Sequence, residues 1–259
     1  MKLFDSHCHL DDRAFDKDLD DVIRRMREAG VASAMTIGTT LDRCARGVAV
    51  AESTPGVYAA VGIHPHDAKS CDEDVLQTLV NLAASPSVRA WGEIGLDFNR
   101  MYSPRDVQEK WLLRQLEISE TLNLPAIFHE RDSGGRLIDI LKTDFTVGRN
   151  GVVHCFSGTG DELKQYLDLG LFIGITGIVT IKERGAALRK MVPLIPMDRI
   201  LIETDAPYLT PTPERNHARR NEPAFVRSVL LKLADVRRQD PAVLAEVLWN
   251  NTCRLYNII

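Results

Sequence analysis

The sequence predicts an α/β fold: a (β/α)8, or TIM, barrel that forms a single domain over residues 1–259 and carries extra C-terminal helices. Eight short apolar runs alternate with segments of helical period, and eight parallel strands are the number that closes such a barrel. The length of 259 residues is also typical of these barrels. Six potential metal ligands lie at or near the ends of five of the runs, where they can converge only if the strands curl around one axis. A doubly wound open sheet is the alternative.

The individual strands are predicted by runs of apolar and β-branched residues. We expect them at 3–9, 32–38, 57–63, 88–94, 125–130, 151–156, 171–176 and 199–204. The segments between them repeat apolar residues at helical spacing and predict helices at 17–29, 41–53, 73–84, 104–122, 134–143, 160–169 and 184–192. Two further helices, at 223–236 and 241–256, follow the eighth strand.

Capping residues mark two of the helix starts. Ser103 is predicted to cap the fourth helix, with Pro104 at its first position and Asp106 completing an acidic variant of the capping box. The last helix repeats this arrangement, with Asp240 as the cap and Pro241 at the first position.

The composition narrows the class of protein. A net charge of −4 excludes a protein that coats nucleic acid through bulk charge, although it permits a local basic patch. The five cysteines form no paired framework, which favours a reducing compartment. No apolar run reaches the roughly 18 residues that span a bilayer, and the first residues show no signal-peptide pattern. We therefore expect a cytoplasmic protein without membrane association.

The potential metal ligands are histidines and carboxylates. They are His7, His9, Glu93, His129, His154 and Asp205. His7 and His9 are two residues apart on a strand, so both face one side, while Cys8 faces the covering helices. A His-x-His pair is weak evidence on its own. The other ligands also follow strands, however, and barrel enzymes place their active sites at the carboxyl ends of the strands.

Two of these carboxylates also allow a structural interpretation. Glu93 lies within an apolar run, where a carboxylate is costly unless it is paired with an arginine or coordinated. Asp205 could instead cap a helix. Glu203 shares a strand face with Asp205 and is a candidate to orient a ligand. Taken together, the set predicts a metal centre.

Seven segments carry a resemblance to a known family. They are FDSHCH (4–9), VGIHPH (61–66), GEIGLD (92–97), HERD (129–132), HCFSG (154–158), ETDAPY (203–208) and RNEP (220–223). In these segments, which extend over nearly the whole chain, the sequence resembles the TatD family of metal-dependent hydrolases, a group of amidohydrolase-like barrels. The resemblance implies deoxyribonuclease activity and two divalent metal ions, which would be Mg²⁺, Mn²⁺ or Zn²⁺.

The resemblance also implies a division of the ligands between the two ions. One metal would be held by His7, His9, Glu93 and Asp205. The second would be held by Glu93, His129 and His154, with Glu93 shared.

Phosphodiester hydrolysis needs more than one general base, which supplies only about 10²–10⁴-fold. Two metal ions can activate water and stabilise both the attacking and the leaving oxygen. Asp205 would orient the attacking water and accept its proton. The sequence contains no stripe of stacking aromatics, which favours contact with a short single-stranded or end segment of DNA. We therefore expect a monomeric 3′–5′ exonuclease rather than a processive endonuclease.

Four residues are candidates for contact with the substrate. His64 is predicted to donate a hydrogen bond to a phosphate or leaving oxygen, although a turn residue is the alternative. Arg131 would bind a phosphate or pair with Asp132. Arg219 and Arg220 lie in a basic loop after the eighth strand, where they would contact backbone phosphates or remain solvated.

Two other functions remain open at the level of sequence. Related barrels use the same ligand layout to hydrolyse small amides, lactones or phosphoesters, and fold alone does not separate these reactions. Many such relatives carry a lysine where this chain has Glu93, which favours the nuclease. A non-catalytic metal-binding scaffold is the alternative from a different class, and metal-dependent turnover would separate it from an enzyme.

Overall fold

The structure, a computed structural model, describes residues 1–146, 148 and 150–258. Its eight strands pair in parallel, each beside the next along the chain. They are β1 (Leu3–Cys8), β2 (Val31–Ile37), β3 (Val57–Val61), β4 (Val88–Asp97), β5 (Ala126–Arg131), β6 (Gly151–Val153), β7 (Phe172–Ile175) and β8 (Ile200–Ile202). This order confirms the predicted barrel, because a doubly wound sheet would place later strands on both sides of the first.

Two strands are only half as long as predicted. Those expected at 151–156 and 199–204 end at Val153 and Ile202. Soon afterwards Cys155 and Asp205 adopt φ angles of +48° and +59°, outside the β region, so regular pairing cannot continue.

Hydrogen bonds between β1 and the segment after β8 bring the two ends of the sheet together. The amide of Asp205 donates to the carbonyl of His7 over 2.9 Å, and the amide of His9 donates to the carbonyl of Ala206 over 2.7 Å. The amide of Thr204 donates to Asp5 Oδ1 over 2.8 Å. The barrel is therefore nearly closed, and the first and last ligand-bearing segments lie side by side.

The helices alternate with the strands and cover the outside of the barrel. They are α1 (Leu19–Glu28), α2 (Leu41–Ser53), α3 (Glu73–Leu82), α4 (Arg105–Thr121), α5 (Arg136–Asp144), α6 (Gly160–Asp168), α7 (Ala186–Met191), α8 (Val226–Arg237) and α9 (Pro241–Leu255). The cap of α9 is confirmed, since the Asp240 carboxylate accepts the amide of Ala242 over 2.7 Å. The cap predicted for α4 is wrong. Pro104 takes that position, and the Ser103 hydroxyl instead donates to the carbonyl of His66 over 2.9 Å.

Two apolar layers hold the barrel together. The outer layer packs between the sheet and the helices. The inner layer fills the barrel with Phe4, Met35, Ile37, Ala60, Ala90, Ile127, Val152, Phe172 and Leu201. Leu255 and Tyr256 pack against it, and the Tyr256 hydroxyl donates to the carbonyl of Ser6 over 3.0 Å. Because the apolar residues precede the polar ligands along the strands, the polar side chains collect at the carboxyl ends.

Candidate metal centre

An irregularity in β1 aims its histidines into the barrel. Phe4 belongs to the inner layer and Cys8 to the outer one, although regular alternation would place both on the same face. The pairing register with β2 shifts between Asp5 and Cys8. After this shift His7 and His9 point inward, while Cys8 packs under the helices as the sequence predicted.

A second irregularity, in β4, turns the side chain of Glu93 into the barrel. Trp91 and Ile94 both belong to the outer layer, and the register with β5 shifts between Gly92 and Ile94. Glu93 therefore faces the barrel axis rather than the helices. The residues beyond the shift resume alternation, which turns Asp97 to the same inner side.

The buried carboxylate of Glu93, with 2 % of the residue exposed, is the centre of the cluster. Its Oε1 lies 2.7 Å from His129 Nδ1, 3.5 Å from His64 Nε2 and 3.6 Å from His154 Nε2. Its Oε2 lies 3.4 Å from His7 Nε2. Four imidazoles from four different βα segments thus meet at one carboxylate.

Asp205 lies on the other side of His7. Its Oδ1 is 3.3 Å from His9 Nε2, 3.8 Å from His7 Nε2 and 3.9 Å from His154 Nε2. The side chain is 13 % exposed, whereas that of Glu93 is 3 % exposed. Asp205 is therefore the carboxylate of the cluster that faces the mouth of the barrel.

The structure thus brings together all six side chains that the sequence singled out. Within each of four overlapping groups, the potential ligand atoms lie within 4.8 Å of one another. The groups are His7 with His154 and Asp205, His7 with His9 and Glu93, His64 with Glu93 and His129, and His66 with Asp97 and His129. The assignment of these residues as ligands stays a prediction.

Neighbouring groups orient the rings of His9 and His154. The Nδ1 of His9 donates to the carbonyl of Ile37 over 2.8 Å, which leaves Nε2 facing Asp205. The Nδ1 of His154 lies 3.0 Å from Glu203 Oε1, close enough for an ion pair but not aligned for a hydrogen bond. Glu203 itself accepts the amide of Cys155 over 2.6 Å. This geometry agrees with the orienting role expected for Glu203.

Sequence reasoning gave no role to Asp97, which lies beside His129. Its Oδ2 accepts a hydrogen bond from His66 Nε2 over 2.6 Å and lies 3.3 Å from His129 Nε2. Burial raises the pKa of the Asp97 carboxyl, but hydrogen bonds from His129 and His66 outweigh burial and hold this pKa well below its usual range. The signal was present in the sequence, since Asp97 follows Glu93 by four residues and therefore shares its strand face.

Without a cation, protons balance the negative charge of the cluster. Burial disfavours a charged imidazole, but hydrogen bonds to Asp97 and Glu93 raise the pKa of His129 to about 9. The charges of Glu203 and Glu93 likewise outweigh burial and raise the pKa of His154 to about 10.

Other groups in the cluster keep lone pairs available. Burial, followed by the charge of His154, lowers the pKa of His7, and among the described residues neither of its ring nitrogens has a hydrogen-bond partner. Burial raises the pKa of Glu93, but the charge of His154 and the contacts with His64 and His129 together outweigh burial and hold this pKa well below its usual value, so the carboxylate stays ionised. Buried lone pairs and ionised carboxylates are what a divalent cation requires, so this donor set fits a metal ion.

Metal binding is therefore expected to release about two protons at pH 7. His129 and His154, with pKa values raised to about 9 and about 10, carry protons at that pH, and a bound cation displaces them. The apparent affinity for Mn²⁺ should rise as the pH increases from 7 and level off once both pKa values are passed. Isothermal titration calorimetry of metal-free protein in two buffers of different ionisation enthalpy measures the number of protons released. Equal heats of metal binding in both buffers would contradict this prediction. The control is the His217→Ala variant, which lacks an exposed histidine and should release as many protons as the unmodified protein.

The candidate substrate contacts have very different surroundings. His64 lies in the cluster, and Arg131 and Arg219 are exposed. The alternative for Arg131, a pair with Asp132, does not form, and the Asp132 carboxylate accepts a hydrogen bond from the side-chain amide of Asn99 over 2.7 Å.

The structure disfavours a phosphate contact for Arg220. Its guanidinium pairs with Asp18 and lies 3.4 Å from Glu222 Oε1. It also lies over the ring of Phe15, with 4.6 Å between the guanidinium carbon and the ring centroid. A phosphate would have to displace these carboxylates. The approach of Asp18, which is remote in the chain, could not be read from the sequence.

Fold and site together define a class: a (β/α)8 barrel with a histidine and carboxylate cluster at the carboxyl ends of its strands, typical of metal-dependent hydrolases. Residues 4–257 match the family described as TatD related DNase. The chain belongs to this family, as the sequence motifs predicted, and is therefore a hydrolase that acts on ester bonds. A non-catalytic metal-binding scaffold is not supported.

Individual relatives match the whole chain. The 3′-5′ ssDNA/RNA exonuclease TatD of Rahnella sp. (strain Y9602) is 42 % identical over 257 residues, which are 98 % of each chain. The enzyme of the same name from Escherichia coli (strain K12) is 38 % identical over 259 residues, with 99 % of each chain covered.

Solved structures agree. The crystal structure of YjjV, a TatD homologue from Escherichia coli K12, superposes with a TM-score of 0.92 at 32 % identity and covers 99 % of this chain and 98 % of that one. The TatD family hydrolase of Entamoeba histolytica, at 23 % identity and a TM-score of 0.91, supports the fold alone. Across the described residues, every helix is too short or too polar to cross a membrane.

Proposed function

We propose that this chain is a metal-dependent 3′–5′ exonuclease that removes nucleotides from single-stranded DNA or RNA. The observation that carries the proposal is the contact of Glu93 with four imidazoles beside the more accessible Asp205. This is a charged, nitrogen-rich centre at the open face of the barrel, suited to an anionic substrate. The relatives named 3′-5′ ssDNA/RNA exonucleases, which match over the full chain, support the same reaction.

Two divalent ions would occupy the cluster. One would be held by His7, His9, Glu93 and Asp205, and the other by Glu93, His129 and His154. Two such ions lower the pKa of water and stabilise the charge of the attacking and leaving oxygens. The nitrogen ligands suit Zn²⁺ and Mn²⁺ better than Mg²⁺, which prefers oxygen.

Asp205 would accept the proton of the attacking water. Burial raises the pKa of its carboxyl, but the hydrogen bond from His9 and the charge of His154 outweigh burial and lower it. The carboxylate is therefore ionised at neutral pH, as a base must be. Because it faces the mouth of the barrel, it can reach a water molecule that Glu93 cannot.

His64 supplies a hydrogen-bond donor. Its Nδ1 accepts the amide of His66 over 3.0 Å, which places the proton of the neutral ring on Nε2. Burial, followed by the charge of His129, lowers the pKa of His64 to about 4, so the ring stays neutral. The Nε2 atom lies 3.2 Å from His129 Nδ1 and 3.5 Å from Glu93 Oε1. When a substrate binds, its proton would be donated to a phosphate oxygen, so His64 would not bind a metal.

Exposed tyrosines beside the cluster suit unpaired bases. Tyr102 is 55 % exposed and its ring centroid lies 4.9 Å from that of His66. Tyr208 is 48 % exposed and lies 5.7 Å from His9 by the same measure. Base stacking on aromatic rings contributes about 1–3 kcal/mol per base and needs an unpaired strand. These two rings fit a short end segment rather than a long channel.

Stepwise shortening of a 5′-labelled single-stranded oligonucleotide is the expected result for metal-stripped protein reloaded with Mg²⁺, Mn²⁺ or Zn²⁺. The products should form a ladder from the 3′ end, because each cycle removes one nucleotide. A His129→Ala variant and metal-stripped protein should both be inactive. The rate on an RNA strand of the same sequence, compared with the rate on DNA, measures the preference between the two nucleic acids.

Closed circular single-stranded DNA is the control for the mode of cleavage. Cleavage of the circle as fast as of the linear strand would overturn the exonuclease assignment. Tight metal binding without cleavage of either polymer would favour a hydrolase of small phosphoesters, amides or lactones on the same barrel. A monomeric state and a cytoplasmic location stay predictions, which light scattering and cell fractionation would test.

A further inference from the structure

A cleft lies between the loop that follows β7 and the loop that follows β8. Its volume is about 350 Å³, and it is lined by Ile181, Arg184, Leu209, Thr210, Arg215 and Ala218. Both loops leave the carboxyl ends of their strands, so the cleft is on the same face of the barrel as the metal centre. None of the cluster residues lines it.

The cleft begins beside the metal centre. Leu209 follows Tyr208, whose ring lies edge-on to His9, and the amide of Tyr208 donates to the carbonyl of Asp205 over 2.8 Å. A strand whose 3′ end is at Asp205 can therefore continue into the cleft.

Hydrogen bonds fix the walls of the cleft. The Arg189 guanidinium donates to the carbonyls of Val179 and Ile181, each over 2.9 Å, and so holds the loop after β7. The amide of Thr212 donates to the Thr180 hydroxyl over 2.8 Å and ties the two loops together. The cleft is preformed, so binding a ligand there does not require the loops to become ordered first.

Two guanidinium groups in the cleft remain available. Within the described part of the chain, neither Arg184 nor Arg215 uses its side chain in a hydrogen bond or ion pair. The nearest acidic neighbours in sequence do not pair with them: Glu214 accepts from the Ser228 hydroxyl over 2.6 Å, and Glu183 has Lys182 as its nearest cation, with 4.0 Å between Oε1 and Nζ. This distinguishes the pair from Arg220, whose charge is neutralised.

We infer that this cleft binds the phosphodiester backbone of the nucleotides that precede the 3′-terminal one, with Arg184 and Arg215 contacting successive phosphates. The inference rests on the proposed exonuclease function and extends it to the binding of the upstream strand. Arginine binds phosphate oxygens through two parallel N–H donors, and the apolar Ile181 and Leu209 can lie against sugars. Such contacts do not depend on the identity of the bases, so the cleft provides affinity without sequence preference.

The test compares substrates that do and do not reach the cleft. A strand of about ten nucleotides extends beyond the metal centre, whereas a dinucleotide offers only the bond that is cleaved. In the Arg184→Ala/Arg215→Ala variant the ratio of kcat/KM for the long strand to that for the dinucleotide should fall about 100-fold, or tenfold for each arginine removed. The slope of log KM against log salt concentration should also decrease by about 0.7 for each phosphate that the variant no longer binds.

Lys182→Ala is the matched control, because it removes one positive charge from the same loop but outside the cleft. Its substrate ratio and salt slope should equal those of the unmodified protein. A double variant that behaves like this control would overturn the cleft assignment. If the double variant does not fold, Arg184→Gln and Arg215→Gln, measured singly, must each lower the ratio. Failure of the unmodified protein to shorten any strand would instead count against the proposed function.

Discussion

Replacement of Glu93 by glutamine should lower kcat/KM on single-stranded DNA by about 10³-fold or more, because the substitution affects every group in the cluster. The amide keeps the size of the side chain but loses the charge shared by His7, His64, His129 and His154. It also presents a nitrogen, which does not bind a cation, in place of one oxygen. Both metal positions should therefore lose affinity together. Metal content by mass spectrometry and the rate of strand shortening measure the two effects.

A carboxylate elsewhere on the surface provides the control for Glu93. Glu246 of α9 is exposed, so Glu246→Gln changes the net charge equally without touching the cluster. It should retain full metal content and rate. If Glu93→Gln kept two equivalents of metal and near-normal turnover, Glu93 could not be the shared ligand, and the two-metal proposal would fail.

Asp205→Asn should separate catalysis from metal binding. We expect kcat to fall about 10²–10⁴-fold, the contribution of a general base, with a much smaller change in KM. The asparagine oxygen can still face His9 and His7, and the remaining ligands are unchanged, so most of the metal should remain bound. The measurement is the steady-state initial rate at saturating substrate, with the metal content determined on the same sample.

Asp198→Asn is the matched variant for Asp205. Asp198 precedes β8 at the opposite end of the strand and is exposed, so its replacement should leave both rate and metal content unchanged. Near-normal turnover of Asp205→Asn with intact metal content would remove Asp205 as the base. Loss of metal equal to that in Glu93→Gln would instead make Asp205 chiefly a ligand.

Most residues of this site could be predicted from the sequence, because the candidate ligands lie at or near the ends of strands. Once eight parallel strands close a barrel, side chains at their carboxyl ends must face a common centre, and the structure brings the predicted six together. Alternation within a strand also predicts Asp97 from Glu93, because the two residues are four apart on β4. The organisation of residues 1–259 as one domain stays a prediction.

The register shifts in β1 and β4 could not have been predicted. Regular alternation from Phe4 or Trp91 places His7 or Glu93 on the wrong face, and only pairing with β2 and β5 reveals the extra residue. A register shift of this kind depends on the neighbouring strand, so it cannot be predicted from the sequence of the shifted strand alone.

The sequence by itself determined the fold class, the family and the identity of the six candidate ligands, because period and residue type are local properties. Only the tertiary structure decided which arginines are available to a substrate. Arg220 is close in sequence to the site yet is neutralised by Asp18, about two hundred residues away in the chain. Arg184 and Arg215, on the walls of a cleft, are unpaired among residues 1–146, 148 and 150–258. Charge pairing depends on distances between segments remote in sequence, and folding alone sets those distances.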